Sequence, residues 1–305
     1  MLIDIKNLSV SFKGGDDVQA VKDVSLEIYE KDKLAIIGET GSGKSVLLLS
    51  ILRLLPHSAE VRGEITYNAK DILKLQRKEL DEIRGGKISY VPQGGGGSMN
   101  PLLTVGFQVG EPLIIHKKYT KKNAFLESMN LLKLFNIDNE KKRAAGYPHT
   151  LSGGMRQRAL VAMGISAGAE IILADEPTKG LDEKRIEIVA ESFSKLSDKT
   201  ILCVTHDLNF ARKISQRMCI MYSSYQIEEG PTEQIFLEPL HPYTMDIINA
   251  MPENGLKVNK GFTEDQLEEG CCYYGRCAYR TEKCKTMPPY FNVSGRKVRC
   301  WRYAS

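Results

Sequence analysis

Residues 38–45 carry the clearest chemical signal in this 305-residue chain, because they read G-x-x-x-x-G-K-S. They follow the apolar run 34–37 and open a helical apolar run, which is the context that a phosphate-binding loop needs. Glycines keep side chains away from a phosphate, so the backbone amides and the helix N-terminus face the anion. Lys44 supplies charge for the β- and γ-phosphates, and the Ser45 hydroxyl can ligate Mg²⁺. The predicted nucleotide contacts here are Gly38, Gly41, Ser42, Gly43, Lys44, Ser45 and Val46.

Two acids, Asp175 and Glu176, follow the apolar run 171–174. Ligands bind at the carboxyl ends of the strands of a parallel sheet, so this pair is expected to face the same edge as the phosphate-binding loop. Asp175 can hold the water shell of the magnesium ion, and Glu176 can orient and polarise an attacking water. Because phosphoryl transfer depends largely on positioning and charge neutralisation, a lysine, a metal ion and one such acid are sufficient for ATP hydrolysis. An acid pair alone is weak evidence, since it often only caps a loop.

A second candidate anion site lies at residues 151–158, which read LSGGMRQR. A serine hydroxyl and two glycines at the start of a helix can receive an anion. By itself the segment could equally be an ordinary helix cap. Its position shortly before the acid pair resembles that of the LSGGQ signature of ATP-binding cassette (ABC) ATPases, with Met155 in the usual glutamine place.

The resemblance to ABC ATPases covers nearly the whole chain and implies roles for further residues. Phe12 matches the aromatic residue that stacks on adenine, and Gln93 matches the Q-loop glutamine that touches magnesium and the attacking water. Asp182, in Gly-Leu-Asp, matches the D-loop, and His206 matches the switch histidine that contacts the γ-phosphate. The implied catalytic residues are Lys44, Gln93, Glu176 and His206, and the implied magnesium ligands are Ser45, Gln93 and Asp175.

The sequence contains a single set of these motifs, which implies that the chain works as half of a dimer. In the family, two ATPase domains face each other head to tail, and ATP lies between the phosphate-binding loop of one and the signature of the other. ATP then joins the two domains and hydrolysis loosens them, which gives a two-state element. The residues that would reach the partner's ATP are Ser152, Gly153, Gly154 and Asp182.

The form LSGGMRQR is typical of the D-type ATPases of oligopeptide, dipeptide and nickel importers. Residues 230–236 and 240–244 are similar to the C-terminal extension of that family. The resemblance implies ATP-driven import of peptides, with nickel or a metal chelate as the alternative cargo. The implied partners are an F-type ATPase subunit in a heterodimer, two transmembrane permease subunits and, indirectly, an extracellular solute-binding protein.

Five of the seven cysteines lie after residue 270. In a reducing cytosol such clustering favours metal or cluster ligation over disulfides. From chemistry alone four thiolates could hold zinc or an iron–sulfur cluster, although the close C-x(2–4)-C pair usual in zinc sites is lacking. The tail resembles the family pattern C-x5-C-x6-C…V-x-C, which implies a 4Fe–4S cluster, with zinc as the alternative, that staples a small tail. The implied ligands are Cys271, Cys277, Cys284 and Cys300, which leaves Cys272 spare.

The apolar patterns predict an α/β fold. Alternation in residues 3–12, 24–28 and 65–67 predicts antiparallel strands with one solvated face. Continuous runs at 34–37, 171–174 and 201–204 predict buried parallel strands, with helices between them. The resemblance refines this to an ABC-type P-loop ATPase with a RecA-like core, an antiparallel β subdomain, a helical subdomain and a small Cys-rich C-terminal extension. Two sets of residues have helical spacing: Phe125, Met129 and Leu132, and Ile186, Val189, Phe193 and Leu196.

The predicted division is an ATPase domain at 1–252, with its helical subdomain at about 94–165, and an extension at 253–305, because residues 253–269 are polar, acidic and glycine-punctuated like a linker. Two segments depart from the family. Four glycines at 94–97 replace an acid-Pro-Met-(Ser/Thr) stretch, and Thr178-Lys179-Gly180 replaces the commoner Thr-Thr-Ala. The glycines enlarge backbone freedom where family members meet the membrane subunit, so we expect coupling to differ in detail.

Composition and sequence patterns argue against several other classes of protein. The most apolar stretch, residues 46–55, is interrupted by Ser50 and Arg53 and falls short of the roughly 20 residues that span a bilayer. With no secretory signal at its start, the chain is expected at the cytoplasmic face of the membrane, attached through partners. A net charge of +4 is too small to predict nucleic-acid binding. A non-transport ABC ATPase acting on nucleic acid is the less favoured alternative, because residues 46–151 show neither the heptads nor the cysteines of DNA-acting types and the chain carries one ATPase domain where translation-factor types carry two. The tail opposes an exporter.

Overall fold

The computed structural model describes residues 1–14, 17–94, 98–257 and 269–304. Most of the glycine run at 94–97 and most of the predicted linker at 253–269 therefore lie outside the described residues. The strands are β1 (Ile3–Phe12), β2 (Val18–Ile28), β3 (Lys33–Ile37), β4 (Ala59–Tyr67), β5 (Lys70–Asp71), β6 (Ile88–Val91), β7 (Ile171–Asp175), β8 (Thr200–Thr205), β9 (Arg217–Tyr222), β10 (Tyr225–Pro231), β11 (Phe291–Val293) and β12 (Arg296–Val298). The helices are α1 (Lys44–Ile51), α2 (Arg77–Ile83), α3 (Val105–Lys117), α4 (Lys121–Leu134), α5 (Glu140–Ala145), α6 (Gly153–Ser166), α7 (Glu183–Ser194), α8 (Leu208–Ile214), α9 (Thr232–Leu237) and α10 (Pro242–Asn249).

The strands predicted from alternating residues are antiparallel. β1 pairs with β2 and with β4, and Ile5 lies opposite Leu26 and Ile65. The alternation breaks between Ile5 and Leu8 because β1 has a bulge there, with Asn7 at a positive φ of 47°. Their apolar side chains face inward, so these strands cover one side of the core that also contains α1.

The continuous apolar runs form the predicted parallel strands. β3, β8, β7 and β6 are neighbours in that order, and each pair is parallel. Every residue of β7 and β8 is buried, which explains why these strands show no alternation. The parallel arrangement aligns the carboxyl ends of four strands at one edge of the sheet.

The helices α3, α4, α5 and α6 fall between β6 and β7 in the chain. Thr104 and Thr120 cap the first two, each accepting a hydrogen bond from a backbone N–H three residues on. Leu132 is fully buried, and Phe125 and Met129 pack beside it against the same core as α7, as their spacing predicts. The second predicted helix is shorter than its pattern: α7 ends at Ser194, and Leu196 is buried just beyond it.

The last residues of the chain join the main sheet. β12 pairs antiparallel with β10, placing Val298 opposite Glu228, and β11 pairs with β12. Arg299 Nη2 donates to Oδ2 of Asp23 in β2 at 2.7 Å. Among the described residues, no helix is long and apolar enough to cross a membrane.

Candidate functional site

Four predicted motifs lie at the carboxyl ends of the four adjacent parallel strands. The phosphate-binding loop follows β3, His206 follows β8, Glu176 follows Asp175 at the end of β7, and Gln93 lies just beyond β6. Segments that are far apart in sequence therefore meet at one edge of the sheet, as the parallel order requires.

The phosphate-binding loop is held tightly between neighbouring strands. Gly43 has φ of 91°, and a Cβ there would lie 1.9 Å from the backbone oxygen of Ala20 in β2. A Cβ on Gly38 would lie 2.3 Å from the backbone oxygen of Met221 in β9. Only glycine fits at these two positions, so the loop backbone is free to face a phosphate.

Lys44 points back into the loop that carries it. Its Nζ donates to the backbone oxygens of Gly38 and Glu39, each at 2.8 Å. The residue is 6% exposed, and burial lowers the pKa of its ammonium group, partly offset by the acids nearby. Among the described residues, the hydrogen-bond partners of this buried cation are neutral oxygens, those of Gly38, Glu39 and Ser42, so the cation is suited to receive an anionic phosphate.

Ser45 and Asp175 form an oxygen-rich pair that fits a magnesium ion. The Ser45 hydroxyl donates to Oδ1 of Asp175 at 2.9 Å. Tyr90, from β6, donates to the other oxygen of Asp175 at 3.0 Å, and burial raises the pKa of Tyr90 so that its hydroxyl stays a donor. Carboxylate and hydroxyl oxygens are the ligands that Mg²⁺ prefers. Sequence analysis assigned no role to Tyr90.

Glu176 is held by contacts to the neighbouring strand end. His206 Nδ1 lies 2.8 Å from Oε2 of Glu176, and the backbone N–H of Glu176 donates to the oxygen of Val204 at 2.8 Å. Glu176 has a positive φ of 47°, a strained conformation for a residue with a Cβ. Strain of this kind is found at functional sites, where the surroundings fix a side chain in one position.

Gln93 and Phe12 lie apart from this cluster. The side chain of Gln93 is exposed, and within the described part of the chain no hydrogen bond joins it to Ser45 or Asp175. Phe12 is half-buried at the end of β1, opposite Val18 and Ala59. The structure therefore brings together Lys44, Ser45, Asp175, Glu176 and His206, and leaves these two outside that contact network.

The signature residues stand at an exposed helix start. Ser152 caps α6, where its hydroxyl accepts from the backbone N–H of Met155 at 3.3 Å. Gly153 is exposed, and a Cβ there would meet no other atom within 4 Å. Asp182 caps α7 in the same way, at 3.0 Å from the N–H of Arg185, while Gly154 lies against the Arg185 side chain. The open surface at Ser152 and Gly153 leaves room for a ligand held by another chain.

The four predicted tail ligands line one cavity of about 60 Å³. A hydrogen bond from Cys272 lowers the pKa of the Cys271 thiol to about 5, whereas burial raises that of Cys277 to about 11. Within the described residues, no group of three or more His, Cys, Asp or Glu side chains is arranged closely enough to hold a metal ion. The cavity thus gathers Cys271, Cys277, Cys284 and Cys300 without the tight geometry of ligation.

A family model described as "ABC transporter" matches residues 21–179. The chain belongs to the ABC transporter family. A second family, "Oligopeptide/dipeptide transporter, C-terminal region", matches residues 227–284 of this ABC transporter chain, including four of the five cysteines that lie after residue 270.

Curated ABC relatives match over almost their full length. The dipeptide transport ATP-binding protein DppD of Bacillus subtilis is 38% identical over 98% of this chain and 94% of its own length. The oligopeptide transport ATP-binding protein OppD of Haemophilus influenzae is 35% identical over 98% of this chain and 97% of its own. These matches confirm the family predicted from the motifs.

A solved structure confirms the predicted ABC ATPase fold. The ATP-binding cassette MJ0796, in a dimeric post-hydrolysis state bound to ADP and Pi, has a TM-score of 0.69 and 31% identity. It covers 76% of this chain and 99% of its own length. The α/β core of this ABC transporter chain is therefore that of a known ATP-binding cassette.

Proposed function

We propose that this chain is the ATP-hydrolysing subunit that powers import of peptides through an ABC transporter. The observation that carries the proposal is the cluster of Lys44, Ser45, Asp175, Glu176 and His206 at one edge of the parallel sheet. The relatives named as dipeptide and oligopeptide transport ATP-binding proteins support a peptide cargo. No relative described above is named for nickel, so the nickel or metal-chelate alternative is not favoured.

The proposed chemistry follows from the contacts of each side chain. Lys44 leaves the loop carbonyls and binds the β- and γ-phosphates, and Phe12 stacks on adenine. Ser45, Asp175 and Gln93 would hold Mg²⁺, which would neutralise phosphate charge when bound. Glu176 orients the attacking water, and His206 contacts the γ-phosphate. The loop residues Gly38, Gly41, Ser42, Gly43 and Val46 complete the cradle.

A second ATPase subunit completes the proposed site. The exposed start of α6 at Ser152 and Gly153, with Gly154 and Asp182 beside it, is available to the ATP bound by a partner. The dimeric state of the MJ0796 cassette supports this arrangement. The partner proposed here is an F-type ATPase subunit in a heterodimer.

Two permease subunits provide the proposed attachment to the membrane. The chain would lie peripherally at the cytoplasmic face, and an extracellular solute-binding protein would deliver cargo to the same complex. The proposed division is an ATPase domain at 1–252, with a helical subdomain at about 94–165, and an extension at 253–305. Leu102, at 82% exposed beside the glycine run, supports the region after Gln93 as the permease contact.

The tail is proposed to hold a 4Fe–4S cluster through Cys271, Cys277, Cys284 and Cys300, with zinc as the alternative. The cavity that these cysteines share supports the proposal, since thiolates are the ligands of such clusters. When bound, the cluster would cross-link a segment that has little core of its own.

Reconstitution of the complex tests the proposed function. The chain would be purified with its companion ATPase, permeases and binding protein, and placed in lipid vesicles. We expect Mg²⁺-dependent ATP hydrolysis together with uptake of a peptide, and loss of both in Lys44→Ala. Failure of the assembled complex to bind a nucleoside triphosphate would overturn the proposal.

A further inference from the structure

The C-terminal segment touches the phosphate-binding loop directly at Glu39. Arg276 Nη1 lies 3.3 Å from Oε1 of Glu39, although the two residues are 237 positions apart. Burial raises the pKa of the Tyr243 hydroxyl in α10, and the backbone of the same Glu39 is close enough to lower that pKa in part. One residue of the loop is therefore contacted through its side chain and its backbone by two separate parts of the last third of the chain.

Glu39 in turn holds the residues that receive phosphate. Its backbone oxygen accepts from Lys44 Nζ at 2.8 Å and from the backbone N–H of Ser42 at 3.1 Å. A shift of Glu39 would therefore move the ammonium group and a loop amide together. Because phosphate binding depends on aligned loop donors, the position of Glu39 affects nucleotide affinity.

An aromatic cluster fixes the two residues that contact Glu39. The rings of Tyr222 and Tyr243 have centroids 4.5 Å apart, and Tyr273 lies 5.1 Å from Tyr222 and 5.6 Å from Tyr243. Arg276 hydrogen-bonds Tyr222, and its guanidinium lies 5.9 Å from the centre of the Tyr273 ring. These rings restrict the guanidinium and the Tyr243 hydroxyl to one arrangement.

The same residues border the cysteine cavity. Arg276 precedes Cys277, and both Cys277 and Tyr273 line that cavity. His241 lines it as well, is 1% exposed, and accepts at Nδ1 from the backbone N–H of Tyr243 at 3.1 Å. Arg276 and Tyr243 are therefore each within two positions in the sequence of a residue that lines the cavity.

We propose that Arg276 and Tyr243 are positioning residues of the nucleotide site, which hold the phosphate-binding loop through Glu39 and make nucleotide affinity depend on the packing of the C-terminal cysteine segment. The inference rests on the proposed binding of ATP at this loop. It assigns to the tail a role in ATP binding that is separate from the chemistry of hydrolysis.

A charge exchange tests the contact between Arg276 and Glu39. Affinity for a non-hydrolysable ATP analogue with Mg²⁺ would be measured on the full chain for the wild type, Arg276→Glu, Glu39→Arg and the double variant. Because the pair is partly exposed, we expect each single variant to bind about three- to fivefold more weakly, and the double variant to recover most of the loss. Strictly additive losses in the double variant, or unchanged affinity in Arg276→Glu, would refute the proposal.

Further variants separate positioning from folding. Tyr243→Phe removes only the hydroxyl and is expected to raise the KM for ATP with little change in kcat. Lys285→Glu is the matched control, since Lys285 pairs with Glu282 within the tail at 2.9 Å, and it should leave the KM unchanged. If Arg276→Glu fails to fold, Arg276→Gln replaces it in the comparison of affinities, provided that its melting temperature equals that of the wild type. If the wild-type protein binds no analogue, the proposed function itself is refuted. If the wild-type protein binds the analogue but the KM for ATP is unchanged in Tyr243→Phe and Arg276→Gln, only this inference is refuted.

Discussion

His206 fixes the position of Glu176, with Nδ1 of the imidazole 2.8 Å from Oε2 of the carboxylate. The Glu176 side chain is 11% exposed and that of His206 is 59% exposed, so the histidine lies on the solvent side of the acid. The contact joins the proposed water-directing acid to the proposed γ-phosphate contact. A change at the γ-phosphate can therefore be transmitted to the acid through a single hydrogen bond.

Replacing Glu176 tests the assignment of the water-directing acid. We expect Glu176→Gln to lower kcat at least about 100-fold, because an amide cannot accept a proton from water, while ATP still binds. Phosphate release and binding of a fluorescent ATP analogue would be measured in parallel. Glu183→Gln alters an exposed acid at the start of α7 and should leave kcat unchanged. Rapid hydrolysis by Glu176→Gln would show that another group orients the water.

The magnesium assignment predicts a specific defect for Asp175→Asn. Asp175 receives hydrogen bonds from Ser45 and Tyr90, so an amide would disturb both partners and lose one negative charge. The Mg²⁺ concentration for half-maximal ATP hydrolysis is expected to rise about 10- to 100-fold. A titration of activity with MgCl₂ at fixed ATP measures the change. Asp71→Asn is the control, because Asp71 caps a short helical turn at Leu73 and should leave the Mg²⁺ requirement as it is. An unaltered requirement in Asp175→Asn would place the metal elsewhere.

A substitution at Gly153 tests formation of the dimer without altering the phosphate-binding loop. Within the described part of the chain, a Cβ added at this exposed position would meet nothing within 4 Å outside its own helix and chain neighbours, so Gly153→Asp should fold normally. An added carboxylate would repel the phosphates of a partner's ATP. In a Glu176→Gln background we expect ATP-dependent association with the partner ATPase, measured by size-exclusion chromatography, to be lost on adding Gly153→Asp, although each subunit still binds ATP. Persistent association would contradict the proposed role of the signature.

The exposed residue Leu102 predicts a defect in coupling. Leu102→Asp is expected to lower peptide uptake by vesicles about tenfold while ATP hydrolysis by the chain itself continues, because a charge would be buried against the permease. Leu237→Asp is a matched control, since Leu237 is 79% exposed at the end of α9. Equal uptake by both variants would mean that the permease binds another surface.

The lining of the cysteine cavity predicts which thiols bind the proposed iron–sulfur cluster. Anaerobically purified protein should contain iron and acid-labile sulfide with the visible absorbance of an iron–sulfur cluster. Cys277→Ser is expected to remove most of that iron, whereas Cys272→Ser, outside the ligand pattern, should retain it. Stoichiometric zinc without iron would favour the alternative metal, and protein free of both would refute a metal role for the tail.

Sequence patterns predicted the parallel core and the proposed ATP site because both depend on local signals. A buried strand such as β7 is recognisable from five consecutive residues, and a phosphate-binding loop requires glycines at fixed spacing. The contact of Tyr90 with Asp175 depends on the neighbouring order of β6 and β7, which no local pattern contains. The contact between Arg276 and Glu39 joins residues that are 237 positions apart in the sequence, so no local pattern predicts it either. The positive φ of Glu176 also gives no signal, since it is imposed by the surrounding strand ends.

The pairing of β12 with β10, together with the bond from Arg299 to Asp23, has a consequence for biosynthesis. β10, and long before it Asp23 in β2, are synthesised before the C-terminal residues that contact them. The finished sheet can therefore form only after β12 has been synthesised, and until then the part of β10 that pairs with β12 is an unpaired strand edge in the nascent chain.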